Sequence, residues 1–385
     1  MESLQKPVSL PENRELIKVF LRLGLLGFGG PIAVIAMIED EVVRKRKWLS
    51  DQSFSENYAI CKLLPGPLST QMAISVGRVH AGVWGGIVAG LCFILPSFLM
   101  MLGMSVWYVR TGMSASMESF LQGIQCSALS IILVSGWHLT RSFRKNTALI
   151  GVAVCSAAVV YVAPSFEPAV ILFFGIWGAS RVNRSARLLQ WNGFPLVWGA
   201  GIFAFSMSPL FKVFWVCFKA AAFVFGTGLA VLPVLQEDGV NYYHWLTHSQ
   251  FMDGLAFGQL TPGPLVITST FMGYMAAGLG GAFAATLGMF LPSFINVLVL
   301  VPRVWKRFAG TAGAREFSIW AIPAVVGGVF ATLAHLGNAT LHAPLSWVLF
   351  LLTGVISLWK NPPAWLLIPS AGVISLLIQL RVHSA

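Results

Sequence analysis

The sequence predicts an all-α polytopic membrane protein. It reads as two homologous halves in an inverted-topology repeat, with broken, partly re-entrant helices. Three observations predict this. The first is composition: the 385 residues are 56% hydrophobic and only 10% charged, where a soluble domain carries about a quarter charged residues. Segments 82–109, 254–302 and 317–359 hold no Asp, Glu, Lys or Arg, and a spanning helix needs roughly 20 mostly apolar residues. A β-barrel would instead show short alternating segments. The second observation is an internal repeat. Displaced by 197 residues, Pro65-Gly66-Pro67 falls on Pro262-Gly263-Pro264, Phe28-Gly29 on Phe225-Gly226 and Trp48-Leu49 on Trp245-Leu246. One register away, Leu95-Pro96-Ser97-Phe98 falls on Leu291-Pro292-Ser293-Phe294. The third is charge. Arg44 to Lys47 and the Arg141/Arg144/Lys145 loop are basic, whereas their counterparts 241–244 and 337–341 hold no Lys or Arg. The bare loop near 110 has a counterpart carrying Arg303, Lys306, Arg307 and Arg315. Short cytoplasmic loops are rich in Lys and Arg, so the halves are expected upside down relative to each other. That requires an odd number of crossings per repeat, an inside amino terminus and an outside carboxy terminus.

In order along the chain, 14–28 is apolar enough for a helix and is broken by Gly27, Gly29, Gly30 and Pro31. A second piece runs to Glu39-Asp40-Glu41. Segment 52–63, with Glu56 and Lys62, is too polar to face lipid along its length. It breaks at Pro65-Gly66-Pro67, and a helix restarts near Leu68 and runs to His80. Spans follow at 82–109, 116–139, 147–163, 167–180 and 191–209. The second half repeats the order, with broken segments at 212–240 and 248–277 and spans near 279–301, 317–336, 344–359 and 363–380. The first repeat is expected over 1–190, with a connecting helix at about 191–209, and the second over 210–385.

Composition also excludes functions. The net charge of +11 sits in short loops between apolar segments, so topology explains it and no nucleic acid is expected. Residues 1–13 lack the apolar core of a signal peptide. The five cysteines are scattered, and no C-x-x-C, H-E-x-x-H, G-x-S-x-G or P-loop pattern occurs. No enzyme, metal or cofactor is expected. The lipid bilayer is the evident partner, and homo-oligomerisation is left open.

The chemistry concentrates at the two breaks. Proline is tolerated in a first helical turn, so both P-G-P elements read as helix N-termini inside the membrane. Their free N–H groups need a polar partner there, and a helix N-terminus is a ready anion site. Ser69, Thr70, Thr268, Ser269 and Thr270 could add hydroxyl donors. Arg22 matches Lys219 across the repeat, and a charge in a membrane helix usually faces a partner or a wet cavity. Lys62 faces Gln259, and Glu39 faces Gln236, so the halves are not equivalent. The expected substrate-binding set is Arg22, Gly29, Gly30, Lys62, Pro65, Gly66, Pro67, Ser69, Thr70, Lys219, Gly226, Gln259, Thr261, Pro262, Gly263 and Pro264. Glu39 is the candidate for proton coupling, against the simpler reading of an interfacial cluster paired with Arg44 and Lys45. Arg78 is expected at the far end of its helix. Trp48 and Trp245 read as interfacial anchors.

Phe28-Gly29-Gly30-Pro31, Trp48, Leu64-Pro65-Gly66-Pro67, Gly258 to Pro264 and the two L-P-S-F stretches together resemble the chromate ion transporter family, in its long two-domain form. The resemblance covers nearly the whole chain. It implies export of chromate, a divalent oxyanion, across the inner membrane, powered by the proton-motive force and conferring chromate resistance, with sulfate as a competitor. A carrier or channel for another oxyanion such as sulfate is the alternative, and a membrane-embedded enzyme a weaker one. In the second half, Gly30-Pro31 becomes Thr227-Gly228, so the two breaks differ.

Overall fold

A computed structural model describes residues 10–27, 30–111, 115–182, 208–222, 228–305, 312–360, 362 and 364–384. Phe28-Gly29, Gly226-Thr227, most of the expected connecting helix, Arg184, Arg187, Lys306 and Arg307 lie outside the described residues.

The described residues form helices and turns with no strand. The first half contributes α1 (Leu10–Leu26), α2 (Gly30–Glu39), α3 (Asp51–Leu63), α4 (Leu68–Thr111), α5 (Ala115–Thr140), α6 (Thr147–Val162) and α7 (Glu167–Val182). The second contributes α8 (Pro209–Ala222), α9 (Val231–Gln236), α10 (His248–Leu260), α11 (Thr268–Ile295), α12 (Ala312–Thr340), α13 (Pro344–Lys360) and α14 (Ala364–Ser384). Matched π-helical turns, Asp40–Lys45 and Glu237–Tyr242, extend α2 and α9. Lys47 and His244, equivalent across the repeat, both have positive φ, at 54° and 53°.

The start of each half is a pair of re-entrant hairpins. Glu15 of α1 meets Arg46 at the end of the α2 extension, so α1 and α2 run antiparallel around the break at 27–30. Ser75 donates to Asn57 at 2.8 Å, which places α3 and the start of α4 antiparallel around Pro65-Gly66-Pro67. In the second half Gly254 lies 2.5 Å, measured from an added Cβ, from the Phe271 ring, and the same arrangement follows. Lys219 pairs with Asp238 at 2.5 Å and closes α8 against the extension of α9.

α4 is not one long span. Ala81 and Gly82 leave helical geometry, as do Ala277 and Gly278 of α11. At Gly82 and Gly278, φ is +68° and +61°. Beyond the turn the chain folds back on itself: Gly77 touches the Gly85 carbonyl, and Gly90 packs on Ile74. Gly77, Gly85, Gly86, Ala89 and Gly90 are small enough to let the two arms touch, the usual device of close helix packing in membranes. The short arm, 68–80, therefore returns to the face from which α3 entered. The long arm, 83–111, crosses. The sequence-based division at residue 82 matches this turn.

Trp48 stacks on His80 at 4.3 Å, so residues 46–48, 80 and 15 share one face, called near here. α4's long arm and α11's long arm then run antiparallel, Gly86 against Leu298 and Gly90 against Phe294. The second half consequently starts from the opposite, far face. Helix directions agree: α5 runs parallel to α13, with Gln122 on Ser346 (3.1 Å) and Ser130 on Phe350 (2.8 Å). α6 runs parallel to α12, with Ser156 on the Ala324 carbonyl (2.6 Å) and Tyr161 stacked on His335 (4.4 Å). The halves are thus an inverted repeat, as the charge pattern predicts.

They also interleave. α5 of the first half packs on α13 and α14 of the second, and α12 of the second packs on α6 and α7 of the first. Gly123 admits Ala371 and Gly372; Gly175 and Gly178 admit Phe317 and Trp320. Among the described residues, four stretches (68–111, 117–140, 265–302, 315–340) are long and apolar enough to cross a membrane. Their outward faces carry large apolar side chains such as Trp84, Leu91, Leu99 and Leu287, as lipid contact requires.

Candidate functional site

The two P-G-P breaks are built alike and held by each other's half. At the first, α3 ends at Leu64 in extended conformation. Gly66 has φ +127°, open to glycine and strained for other residues. α4 then starts at Leu68. The Pro65 carbonyl accepts from Gln71 Nε2 and from Asn296 Nδ2, each at 2.6 Å. Ser293 Oγ lies so close that a Cβ on Gly66 would sit 2.6 Å from it. At the second break Gly263 has φ +96°, its N–H donates to the Gly27 carbonyl at 2.8 Å, and Ser97 donates to the Pro262 carbonyl at 2.6 Å. Each L-P-S-F serine therefore seats on the opposite half's P-G-P. The helix after the second break begins with a 3₁₀ turn, Leu265–Ile267, so its first turn is tighter than the first half's.

Around these tips several buried hydroxyls lack partners. Among the described residues, Thr70 Oγ1, Ser269 Oγ and Ser293 Oγ are buried without a hydrogen bond, and so is Gln71 Oε1. The Pro65 and Pro262 carbonyls are tied up by side-chain donors. What remains toward the tips is hydroxyl, helix N-terminal N–H and the Gln71 Oε1 acceptor, a setting in which donors outnumber acceptors and which suits an anion.

On the near face a cavity of about 670 Å³ is lined by Glu15, Arg22, Glu41, Lys45, Arg46 and Trp48. Arg46 bonds Glu15 and, at 2.9 Å, Glu41. Lys45 bonds Asp40 at 2.8 Å. That hydrogen bond holds the rim Asp40 carboxyl below its usual range and raises Lys45, so both ends of the pair stay charged at neutral pH. Arg22 makes no ion pair among the described residues. It stands exposed in the cavity wall, about a turn and a half below the α1 break.

The expected residues divide accordingly. Pro67, Ser69 and Thr70 are buried in the first tip; Thr261, Pro262 and Pro264 are buried in the second. Pro65, Gly263 and Gln259 are half-buried, and Gly66 is buried. Thr261 spends its hydroxyl on the Phe257 carbonyl (2.7 Å). Lys219, equivalent to Arg22, is neutralised by Asp238. Lys62 is exposed at the last turn of α3, away from the near-face cavity wall. Glu39 pairs with Arg44 at 3.6 Å, with its side chain 36% exposed, which is the interfacial arrangement. Gly30 opens α2, and Gly29 and Gly226 lie outside the described residues. Arg78 does not simply end its helix: it donates to the Val297 carbonyl at 3.0 Å and ties the halves together.

Sequence reasoning missed Gln71, Asn296, Asp238 and the structural use of Ser97 and Ser293. The serines were visible inside the repeated L-P-S-F. Asn296 carried no signal, because its counterpart in the first half is apolar Met100. Among the described residues no group of three or more His, Cys, Asp or Glu could hold a metal.

An inverted repeat with broken helices, in which the end of α1 at Gly27 meets the second P-G-P tip, is a membrane-transporter architecture. The chain belongs to the chromate transporter family. The family model, described as "Chromate transporter", matches residues 14–179 and 211–376, two ranges related by the displacement of the internal repeat. The chain is 32% identical to the chromate transport protein of Cupriavidus metallidurans, over 96% of this chain and 94% of that one. It is 32% identical to the probable chromate transport protein of Synechococcus elongatus, over 90% of each. It is 29% identical to a chromate transport protein of Pseudomonas aeruginosa, over 88% of this chain and 84% of that one. No solved structure matches.

Proposed function

We propose that the protein exports chromate from the cytoplasm as a secondary active transporter driven by the proton-motive force. The observation that carries this reading is Arg22: a cation in the wall of a near-face cavity, with no ion-pair partner among the described residues, on the helix whose Gly27 end meets the second P-G-P tip. Its counterpart Lys219 is already neutralised, so the first repeat supplies the charge that meets a dianion. The anion passes from Arg22 to the donors at the tips, Thr70, Ser269, Ser293 and the free N–H groups after Pro67 and Pro264. Gly66, Gly263 and the Gly27–Gly30 break let the backbone approach it. Sulfate, a tetrahedral dianion, competes there.

The near face is the cytoplasmic one. It carries Arg44 to Lys47, Arg141, Arg144, Lys145, Arg181, Arg315 and Lys360, whereas the far face carries Arg110, Lys212 and Arg381; this bias supports an inside amino terminus and an outside carboxy terminus in the inner membrane. The repeats are assigned to 1–190 and 210–385. An inside-negative potential favours expelling a dianion by about 4.6 kcal/mol per 100 mV, and protons add to that. The test is labelled chromate uptake into inside-out vesicles, with a pH gradient and a membrane potential imposed separately and sulfate as competitor. Wild-type uptake that Arg22→Gln lacks, at equal membrane abundance, is the expected result. Equal uptake by the variant would remove Arg22 from the path, and no uptake by folded wild type would remove chromate as substrate.

A further inference from the structure

Asp253 lies on α10, the arm that leads to the second P-G-P tip, and is 1% exposed. Its two oxygens are held from the other half. Tyr108 of α4 donates to Oδ2 at 2.8 Å, and Gln125 of α5 donates to Oδ1 at 2.7 Å. Among the described residues no cation pairs with Asp253. The groups facing Asp253 are the Tyr108 phenol, the Gln125 amide and Ser249 one turn earlier on α10. α11, α12 and α14 also pack on α10; the acidic, basic and histidine residues they carry are Arg315, Glu316 and His335 on α12 and Arg381 and His383 on α14. Inward, the Tyr108 ring meets Phe257 and Phe271 edge-on, at 5.9 and 5.3 Å, so that side is apolar. Outward, Gln125 Nε2 also reaches Ser249, at 3.4 Å. Ser249 is exposed at the start of α10 on the far face. A short polar path therefore joins far-face water to a buried acid. The repeat does not demand this acid's burial, because its counterpart Glu56 is exposed and accepts from Gln52 one turn earlier.

We propose that Asp253 is the proton-binding site of the transport cycle, loaded from the far face. The proposal rests on the reading of the chain as a proton-driven exporter. As a carboxylate, Asp253 accepts both bonds and pins α10 to α4 and α5. A proton bound at either oxygen turns that oxygen into a donor facing an existing N–H or O–H donor. At Oδ2 the Tyr108 hydroxyl can rotate and accept instead, whereas at Oδ1 the Gln125 N–H can only donate, so that bond is weakened and the tie from α10 to α5 is loosened. Because α10 carries the Pro262-Gly263-Pro264 tip, protonation on the far face is communicated to the anion path.

The test compares wild type with Asp253→Asn and Tyr108→Phe in inside-out vesicles. Asp253→Asn should lose chromate accumulation driven by an acid lumen yet keep chromate–chromate exchange, which needs no net proton movement. Tyr108→Phe removes a donor to the carboxylate, so proton binding is favoured. The pH midpoint of transport should rise by about one unit. Acid-driven accumulation retained by Asp253→Asn would overturn the proposal. So would loss of exchange in Asp253→Asn together with an unshifted midpoint in Tyr108→Phe, the pattern of a merely structural pair. Failure of wild type itself to accumulate chromate under the pH gradient would instead overturn the proton-driven reading beneath it.

Discussion

At the scale of single residues, the paired serines are used differently. Ser97 donates to a carbonyl at the second tip, whereas Ser293 has no hydrogen-bond partner among the described residues at the first. Ser97→Ala should therefore cost about 1–3 kcal/mol of stability, because it strands a buried acceptor. Ser293→Ala should leave stability nearly unchanged and lower transport. Thermal unfolding in detergent beside vesicle uptake checks both; a Ser293→Ala protein that transports normally would remove that hydroxyl from the anion path. Two glycines make a similar contrast. Gly66→Ala meets Ser293 and Gln71 at 2.6 Å as well as an unfavourable φ, but Gly82→Ala meets nothing within 4 Å. The first should be lost or strongly destabilised, the second weakened by about 1 kcal/mol.

At the scale of elements, the defining unit is a helix pair that turns back inside the membrane. Its packing depends on glycine. Gly77 and Gly273 touch the backbones of Gly85 and Gly281 across their turns. Leucine at either position cannot fit without parting the arms. Gly77→Leu should reduce folded protein in the membrane far more than Gly103→Leu, since Gly103 has open space around it; equal yields on a size-exclusion assay would contradict the hairpin. The breaks themselves were legible as P-G-P and G-G-P. Their re-entrance was legible only as an expectation. A proline-broken helix can continue across or turn back, and contacts such as Ser75 with Asn57 decide which.

At the scale of the whole molecule, the halves exchange their helices rather than standing side by side. α5 lies among helices of the second half and α12 among those of the first. The halves expressed as two chains should accumulate together and be degraded singly. A stable lone half would contradict the interleaving. Reporter fusions should place 44–47 and 141–145 on one face and 241–244 on the other, and a shared face for 44–47 and 241–244 would contradict the inversion.

The sequence alone determined the membrane class, the two-fold repeat, its inversion and most helix positions. These depend on apolar length, on proline and glycine breaks and on loop charge, all local properties of the chain. It also singled out Arg22 and both P-G-P tips, because the repeat aligned them. Only the tertiary structure decided which charges are spent. Arg22 and Lys219 are equivalent in sequence, but Asp238 reaches one and Arg46 draws Glu41 away from the other. Nor could spacing show that Ser97, Asn296, Tyr108 and Gln125 serve the opposite half. Those partners lie more than 120 residues apart in the chain. They meet because inverted, interleaved packing puts each half's tips against the other half's long helices.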